Sequence, residues 1–176
     1  MREIQNKNDF SHLQILVVDE HQHSNKLLQD ALRWLGFRNI VSADGVSNAF
    51  EQLKINSIDL ALVELNMREF DGVEFAKIIR NSEDSPNRKL PIILVTSDTR
   101  IQRIHQAIKA GVEAVLAKPI RPDVLQYYIN HLINNPLEYV QSKSYFGPCR
   151  RRIKISNYDG PERRKRDLDT ESKHEI

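Results

Sequence analysis

The chain has 176 residues, 40% hydrophobic and 28% charged, which is enough for one ordinary globular domain with an extension and excludes a large multidomain enzyme. The net charge of +2 is unevenly divided: residues 1–140 contain 16 Lys and Arg against 18 Asp and Glu, whereas residues 141–176 contain 10 against 6. A single cysteine, Cys149, excludes an intramolecular disulfide. With neither a signal peptide nor a run approaching the roughly 20 apolar residues of a membrane span, the chain is expected in the reducing cytoplasm.

Two hydrophobic periodicities alternate along the first 134 residues. Short apolar runs predict five buried strands, at Leu13–Val18, Asn39–Ser42, Ile58–Val63, Ile92–Val95 and Ala114–Leu116. Helical faces follow them and carry in turn Leu27, Leu28, Ala31, Leu32 and Leu35; Val46, Ala49, Phe50 and Leu53; Val73, Ala76 and Ile79; Ile101, Ile104 and Ile108; and Val124, Leu125, Tyr128, Ile129 and Leu132. Five strands, each followed by a helix, predict a doubly wound α/β domain of (βα)₅ type with a parallel sheet.

This pattern stops at Asn134-Asn135-Pro136, which predicts a boundary between a folded domain and a tail. We therefore expect an N-terminal extension at residues 1–11 and the α/β domain at residues 12–134. Residues 135–176 show little hydrophobic periodicity and are rich in arginine. They are predicted to form an irregular basic tail that is disordered when alone.

Chemically active residues follow four of the predicted strands. Asp19 and Glu20 follow the first strand, Glu64 the third, Thr96 the fourth and Lys118 the fifth. Each of them alone is explained as readily by capping of the next helix. Together they point to the crevice at the carboxyl ends of the strands, where open α/β sheets bind ligands. Either Mg²⁺ or the Lys118 ammonium is able to neutralise carboxylates placed there.

Four segments in this order resemble the receiver domain of two-component response regulators. They are Ile15–Glu20, Asp59–Met67 leading to Asp71 and Gly72, Pro91–Ser97, and Lys118–Ile120. The resemblance implies the flavodoxin-like strand order 2-1-3-4-5. It also implies that Asp19 and Glu20 bind Mg²⁺ together with the backbone carbonyl of Asn66. In this family a histidine kinase phosphorylates the carboxylate that ends strand three, and the equivalents of Thr96 and Lys118 contact the phosphoryl oxygens.

Several positions depart from the family pattern. The phosphoacceptor Asp of the family is Glu64 here, and one added methylene pushes the carboxylate into the space that the phosphoryl group should occupy. Phosphorylation is therefore not expected at Glu64, whose carboxylate can instead reach Lys118 or Thr96 and imitate part of the phosphorylated state. Val115 replaces an aromatic switch residue, and residues 67–69 add charge beside the pocket. The sequence leaves open whether Mg²⁺ binds in this crowded pocket.

The basic tail contains a duplicated motif. Residues 145–152 read Tyr-Phe-Gly-Pro-Cys-Arg-Arg-Arg, and residues 158–166 read Tyr-Asp-Gly-Pro-Glu-Arg-Arg-Lys-Arg. In each copy Gly-Pro predicts a turn, the tyrosine offers a flat apolar surface, and the arginines are donors for carboxylate or phosphate. The candidate binding residues are Tyr145, Arg150, Arg151, Arg152, Tyr158, Arg163, Arg164, Lys165 and Arg166. An acidic protein, nucleic acid, anionic lipid and the acidic body of the chain itself all remain open as partners.

We interpret the chain as a stand-alone, divergent pseudo-receiver of two-component signalling. It is expected to act by protein–protein interaction without phosphorylation at Glu64, with a histidine kinase or a downstream effector as its partner. No catalytic motif is present in the sequence, so enzymatic activity is not expected. In the family, partners dock on helix four, strand five and helix five, which here include Arg100, Arg103, Lys109, Val115 and Arg121. Two alternatives stay open: a phosphorylatable response regulator, and a receiver scaffold whose basic tail binds nucleic acid or an anionic membrane.

Overall fold

The five predicted strands and five predicted helices are present in a computed structural model of the chain, which describes residue 10, residues 12–142 and 145–149, and the backbone of residues 165 and 166. The strands are β1 (Gln14–Val18), β2 (Asn39–Ala43), β3 (Leu60–Glu64), β4 (Ile92–Thr96) and β5 (Ala114–Ala117). The helices are α1 (Gln22–Trp34), α2 (Val46–Ile55), α3 (Gly72–Asn81), α4 (Ile101–Ala110) and α5 (Pro122–Asn134). The predicted runs therefore located every strand of the domain, although the run at β2 contains polar residues.

The five strands form one parallel sheet in the order β2-β1-β3-β4-β5. This order confirms the predicted doubly wound α/β fold. Val18 at the end of β1 pairs with Ala43 and with Val63, so the carboxyl ends of the first three strands meet at one edge of the sheet. The winding direction reverses between β1 and β3, and a doubly wound sheet opens its ligand crevice at that point.

Helices cover both faces of the sheet and bury an apolar layer on each. Successive side chains of a strand point to opposite faces. Leu16 and Val18 accordingly pack with α2, α3 and α4, whereas Ile15 and Val17 pack with α1 and α5. Two residues of the predicted helical faces are exposed. Leu27 is 57% exposed, because α1 turns Asn25 and Leu32 towards the interior, and Ile101 at the start of α4 is 68% exposed.

Local sequence signals set several helix ends. Asp71 caps α3 by accepting the Glu74 N–H, and the Glu74 carboxylate accepts the Asp71 N–H in return. Pro122 lies at the start of α5, where its missing N–H costs no helical hydrogen bond. Gly111 ends α4 with φ of 91°, a left-handed conformation that favours glycine. The cap at Asp71 therefore starts α3 soon after β3, the strand that carries Glu64.

Beyond α5 the chain forms a hairpin, which corrects the prediction of an irregular tail from residue 135. β6 (Tyr139–Ser142) and β7 (Tyr145–Pro148) pair antiparallel, and β8 (Lys165–Arg166) pairs with the other edge of β6. Strands of four residues are too short to show a clear alternation of apolar and polar residues. Gly147 and Pro148 lie within β7 and not in the predicted turn. We call residues 139–148 the C-terminal hairpin.

Other parts of the chain lie outside the described residues. These are residues 1–9 and 11 of the predicted N-terminal extension, and residues 143–144, 150–164 and 167–176 of the predicted tail. They include Arg150, Arg151, Arg152, Tyr158, Arg163 and Arg164, and the side chains of Lys165 and Arg166 lie outside as well. Phe10 of the predicted extension stacks on Phe37 of the domain at 6.0 Å between ring centroids. Among the described residues, no helix is both long and apolar enough to cross a bilayer.

Candidate functional site

Lys118 lies between two carboxylates at the carboxyl edge of the sheet. Its Nζ atom is 2.5 Å from Glu64 Oε2 and 3.2 Å from Asp19 Oδ2. It also donates a hydrogen bond of 2.6 Å to Ser24 Oγ, in the first turn of α1. Sequence reasoning missed Ser24, because a serine in a first helical turn has no feature that distinguishes a pocket residue from a surface one. The Lys118 ammonium, just after β5, thus contacts the residue after β1, the last residue of β3 and the first turn of α1.

Glu64 has both carboxylate oxygens engaged. Oε2 contacts Lys118, and Oε1 accepts the backbone N–H of Asn66 at 2.9 Å. The residue is 7% exposed, so water competes little for these oxygens. The carboxylate therefore occupies the centre of the predicted pocket and reaches Lys118 directly, as one of the two contacts anticipated for its longer side chain.

Asp19 and Lys118 stabilise each other in their charged forms. Burial by itself would raise the pKa of Asp19, but hydrogen bonds from Ser24 and from the His21 N–H, together with Lys118, hold that pKa below its ordinary value. Burial likewise opposes the charge on Lys118, yet the Glu64 and Asp19 carboxylates raise the pKa of Lys118 above its ordinary value. At neutral pH the pocket thus contains a charged lysine and a charged Asp19.

Glu20 points away from this centre. Its Oε2 accepts the Arg68 backbone N–H at 3.0 Å, and its Oε1 lies 3.6 Å from Arg68 Nε. Magnesium requires several oxygen ligands that converge on one point. In the described part of the chain, no three His, Cys, Asp or Glu side chains converge in this way. Asp19 is paired with Lys118 and Glu20 with Arg68, so the side chains as arranged here do not fit the Mg²⁺ site that the resemblance implies.

The predicted switch residues lie on the neighbouring strands. Thr96, at the end of β4, is buried, and its Oγ1 accepts the Asp98 N–H at 2.9 Å. Asn66 Nδ2 lies 3.5 Å from the same oxygen. Val115 is partly buried and packs against the apolar layer under α4, where it has no ring to move. The structure thus brings Thr96 to the rim of the pocket and places Val115 in the core beneath it.

Arg103 connects α4 to the loop after β3, a role that sequence reasoning did not assign to it. Its guanidinium lies 2.7 Å from Asp71 Oδ2 and 3.5 Å from Asn66 Oδ1. Asp71 is also the residue that caps α3. The start of α4 is therefore fixed to the start of α3 beside the pocket. The arginine that makes this contact, Arg103, is one that the sequence assigned to the docking surface.

Comparison with known proteins finds one family along most of the chain. The sequence model of the response regulator receiver domain matches residues 15–130. Chemotaxis protein CheY-3 of Vibrio cholerae is 31% identical over 126 residues, which cover 72% of this chain and 92% of that protein. Sensor histidine kinase RcsC of Escherichia coli is 33% identical over 118 residues, 67% of this chain but 12% of the kinase.

Solved structures agree on the fold. A response regulator receiver protein from Pseudomonas putida is 30% identical with a TM-score of 0.61, covering 67% of this chain and 95% of that one. The chemotaxis protein CheY4 of Vibrio cholerae is 22% identical with a TM-score of 0.62, covering 68% of this chain and 97% of that one. The family match contains the whole pocket and ends before the C-terminal hairpin.

Proposed function

The chain belongs to the response regulator receiver family of two-component signalling, and we propose that it is a pseudo-receiver, which signals by protein contact without phosphorylation at Glu64. The observation that carries this proposal is the 2.5 Å contact between Glu64 Oε2 and Lys118 Nζ. The family pattern reserves that lysine for the incoming phosphoryl group. Here a side chain of the protein itself binds it.

The position of the Glu64 carboxylate opposes phosphoryl transfer. Transfer needs a carboxylate oxygen in line with the donor phosphorus and free space for the group that arrives. Both Glu64 oxygens are bound, one by Lys118 and one by the Asn66 N–H. A phosphodonor would have to break these contacts before any oxygen could attack. Even small losses of positioning lower a reaction rate by about two orders of magnitude.

The same contact reproduces part of a phosphorylated pocket. A carboxylate carries one negative charge and two acceptor oxygens, against about −1.5 to −2 and three for a phosphoryl group. The contact to Lys118 is made, whereas Thr96 Oγ1 bonds to Asp98 and Asn66 and makes no bond to Glu64. We therefore expect a pocket that stays in one arrangement and does not respond to a phosphodonor.

A protein partner is proposed to dock on the surface formed by α4, β5 and α5. Ile101 on α4 and Tyr127 on α5 are 68% and 63% exposed. Arg100 and Arg121 are exposed nearby, and each pairs with an aspartate two residues away. Aromatic side chains and arginine are enriched at protein interfaces. The partner is proposed to be a histidine kinase or an effector protein in the cytoplasm, and the chain itself is proposed to have no enzymatic activity.

Intact mass after incubation with Mg²⁺ and acetyl phosphate tests the proposal. The wild-type chain and the Glu64→Gln variant are expected to keep their mass. The Glu64→Asp variant restores the shorter acceptor and is expected to gain one phosphoryl group. All three chains are compared at the same donor concentration, after circular dichroism has shown that each is folded.

One result would count against the pseudo-receiver, and another against the reason given for it. A stable phosphoryl gain in the wild type that Glu64→Gln lacks supports the alternative of a phosphorylatable regulator. A folded Glu64→Asp variant that gains nothing shows that the length of this side chain is not what prevents transfer.

Ligand binding by the duplicated motif stays a prediction. Its arginines lie outside the described residues. In the described part of the first copy, Tyr145–Pro148, the chain contacts its own domain, which is one of the partners that the sequence left open.

A further inference from the structure

The C-terminal hairpin packs against the end of the domain opposite the pocket. The Tyr139 hydroxyl donates to Glu113 Oε1 at 2.5 Å and lies 2.9 Å from the Lys89 carbonyl oxygen. Burial, and then the adjacent Glu113 carboxylate, raise the pKa of Tyr139, so its hydroxyl remains a donor. Glu113 directly precedes β5. The first strand of the hairpin is therefore joined to the start of the last strand of the sheet.

Glu113 belongs to a buried ion pair that Tyr139 completes. The side chains of Arg80 and Glu113 are 0% and 3% exposed and lie 3.2 Å apart. Arg80 also donates to the carbonyl oxygens of Gly111 and Leu90, at 3.0 Å and 2.8 Å. A buried charge pair is favourable when additional hydrogen bonds satisfy its remaining atoms. The Tyr139 hydroxyl supplies one of those bonds from outside the receiver sequence.

The second strand of the hairpin makes a close backbone contact with the end of α4. Phe146 is 9% exposed, and the Arg88 guanidinium lies 4.3 Å from its ring centroid. A Cβ atom added to Gly147 would lie 3.1 Å from Gly111 Cα, and one added to Gly111 would lie 3.3 Å from the Phe146 carbonyl oxygen. Two glycines therefore allow β7 to approach the turn between α4 and β5.

We propose that the C-terminal hairpin fixes the α4–β5 segment, residues 101–117, and thereby the surface on which partners dock. Gly111 ends α4 and Glu113 precedes β5, so both contacts of the hairpin lie on the turn between these two elements. At their other ends, α4 carries Arg103 beside the pocket and β5 leads to Lys118. The proposal holds whether or not Glu64 is phosphorylated.

The hairpin contact is specific for the first copy of the duplicated motif. The second copy has the same Tyr-x-Gly-Pro pattern, but Asp159 stands where the first has Phe146. A carboxylate in place of the buried ring would lose the apolar contact and would be costly to desolvate. The sequence of the second copy is therefore not expected to replace the first copy against Arg88 and Gly111.

Hydrogen exchange measured by mass spectrometry on the full chain tests this inference. Phe146→Asp introduces the residue of the second copy and is expected to raise exchange in residues 101–117 by about tenfold. Tyr139→Phe removes a single hydroxyl and is expected to raise hydrogen exchange less than Phe146→Asp does, in the same peptides. Residues 14–43, in β1, α1 and β2, serve as an internal reference that does not change. Phe70→Asp, the same substitution at an exposed phenylalanine, is the matched control and leaves residues 101–117 unchanged.

Three outcomes would overturn the proposal. One is faster exchange in residues 139–148 without any change in residues 101–117, which would show that the hairpin does not fix the α4–β5 segment. Another is an equal rise in residues 14–43, which indicates general destabilisation. If Phe146→Asp does not fold, Tyr139→Phe decides alone, and no change in residues 101–117 in that variant contradicts the proposal.

Discussion

Lys118 is the residue on which the charge balance of the pocket depends. It faces two buried carboxylates, those of Asp19 and Glu64. Without the ammonium, two negative charges would face each other in a pocket that excludes most water. The resemblance to receiver domains implies that this lysine would also contact a phosphoryl oxygen. In the proposed pseudo-receiver, one side chain thus both supports the stability of the domain and is withheld from a phosphoryl group.

The Lys118→Met variant is expected to lower the free energy of unfolding at pH 7 by about 2–3 kcal/mol. This is at the low end for a broken buried pair, because the Lys118 side chain is 29% exposed. Urea unfolding measures the change. Lys26→Met, at an exposed position of α1, is the matched control and is expected to change stability by less than about 0.5 kcal/mol. A loss for Lys118→Met as small as that of the control contradicts this role.

The difference between wild type and Lys118→Met is expected to depend on pH. The folded-state pKa of Asp19 is lowered, so its stabilising contribution is present above its unfolded value of about 3.9 and is lost as pH falls through the folded value. The folded-state pKa of Lys118 is raised, so its contribution is present below about 10.4 and is lost as pH rises through the folded value. Unfolding followed from pH 3 to pH 11 should show the largest difference between these limits. A difference that grows towards acid pH would contradict the assignment.

Among the secondary-structure elements, α3 and α4 are joined beside the pocket through Asp71. One oxygen of its carboxylate caps α3 by accepting the Glu74 N–H, and the other contacts Arg103 of α4. The cap satisfies an N–H that has no partner within the helix. The ion pair is partly exposed and so contributes less.

Two substitutions at Asp71 separate these contributions. Asp71→Ala removes both and is expected to cost about 1–2 kcal/mol in the free energy of unfolding. Asp71→Ser keeps an oxygen that caps the helix but removes the charge, so it should recover most of that loss. Urea titrations of the three chains measure both values. Equal losses in the two variants would show that the ion pair and not the cap is the larger contribution.

A secondary-structure element could be predicted when its own sequence pattern carries the signal, and could not when its burial depends on residues distant in sequence. The central strands β1, β3 and β4 are buried on both faces and therefore read as continuous apolar runs such as Ile92–Val95. The edge strand β2 is only partly buried and gives a weaker signal. The hairpin strands are short, and residues such as Phe146 become buried only against Arg88 and Gly111, which are distant in sequence. No local pattern reports such a contact.

The site residues carried by strands could be predicted, as the strands themselves could, whereas those carried by helices could not. Asp19, Glu64, Thr96 and Lys118 follow or end strands, and a parallel sheet brings such positions to one edge. The contact between Glu64 and Lys118 followed from side-chain length. Ser24 and Arg103 reach the pocket from helices, so their roles depend on side-chain directions that spacing does not supply.

For the molecule as a whole, ordered structure continues beyond the predicted boundary at residue 134, because the C-terminal hairpin packs against the domain. A chain that ends at Cys149 keeps the hairpin and, among the described strand pairs, loses only the two-residue pairing of β8 with β6, so it is expected to melt close to the temperature of the full chain. A chain that ends at Asn135 loses the burial of Phe146 and the Tyr139 hydroxyl, worth roughly 3 kcal/mol. Its melting temperature should fall by about 5–10 °C, measured by circular dichroism. Equal melting temperatures for the two shortened chains would show that the hairpin adds nothing to the domain.

In the proposed pseudo-receiver, the Glu64 carboxylate already occupies the place of a phosphoryl group. Beryllium trifluoride, a stable mimic of that group, tests this directly when it is added with Mg²⁺ to ¹⁵N-labelled chains and the amide spectrum is recorded. The amide signals of Asn66, Asp98 and Lys118 are expected to stay in place in the wild type and in Glu64→Gln, and to shift in Glu64→Asp. A wild-type spectrum that shifts as Glu64→Asp does would contradict the account, because it would show that the pocket remains open to a phosphoryl group.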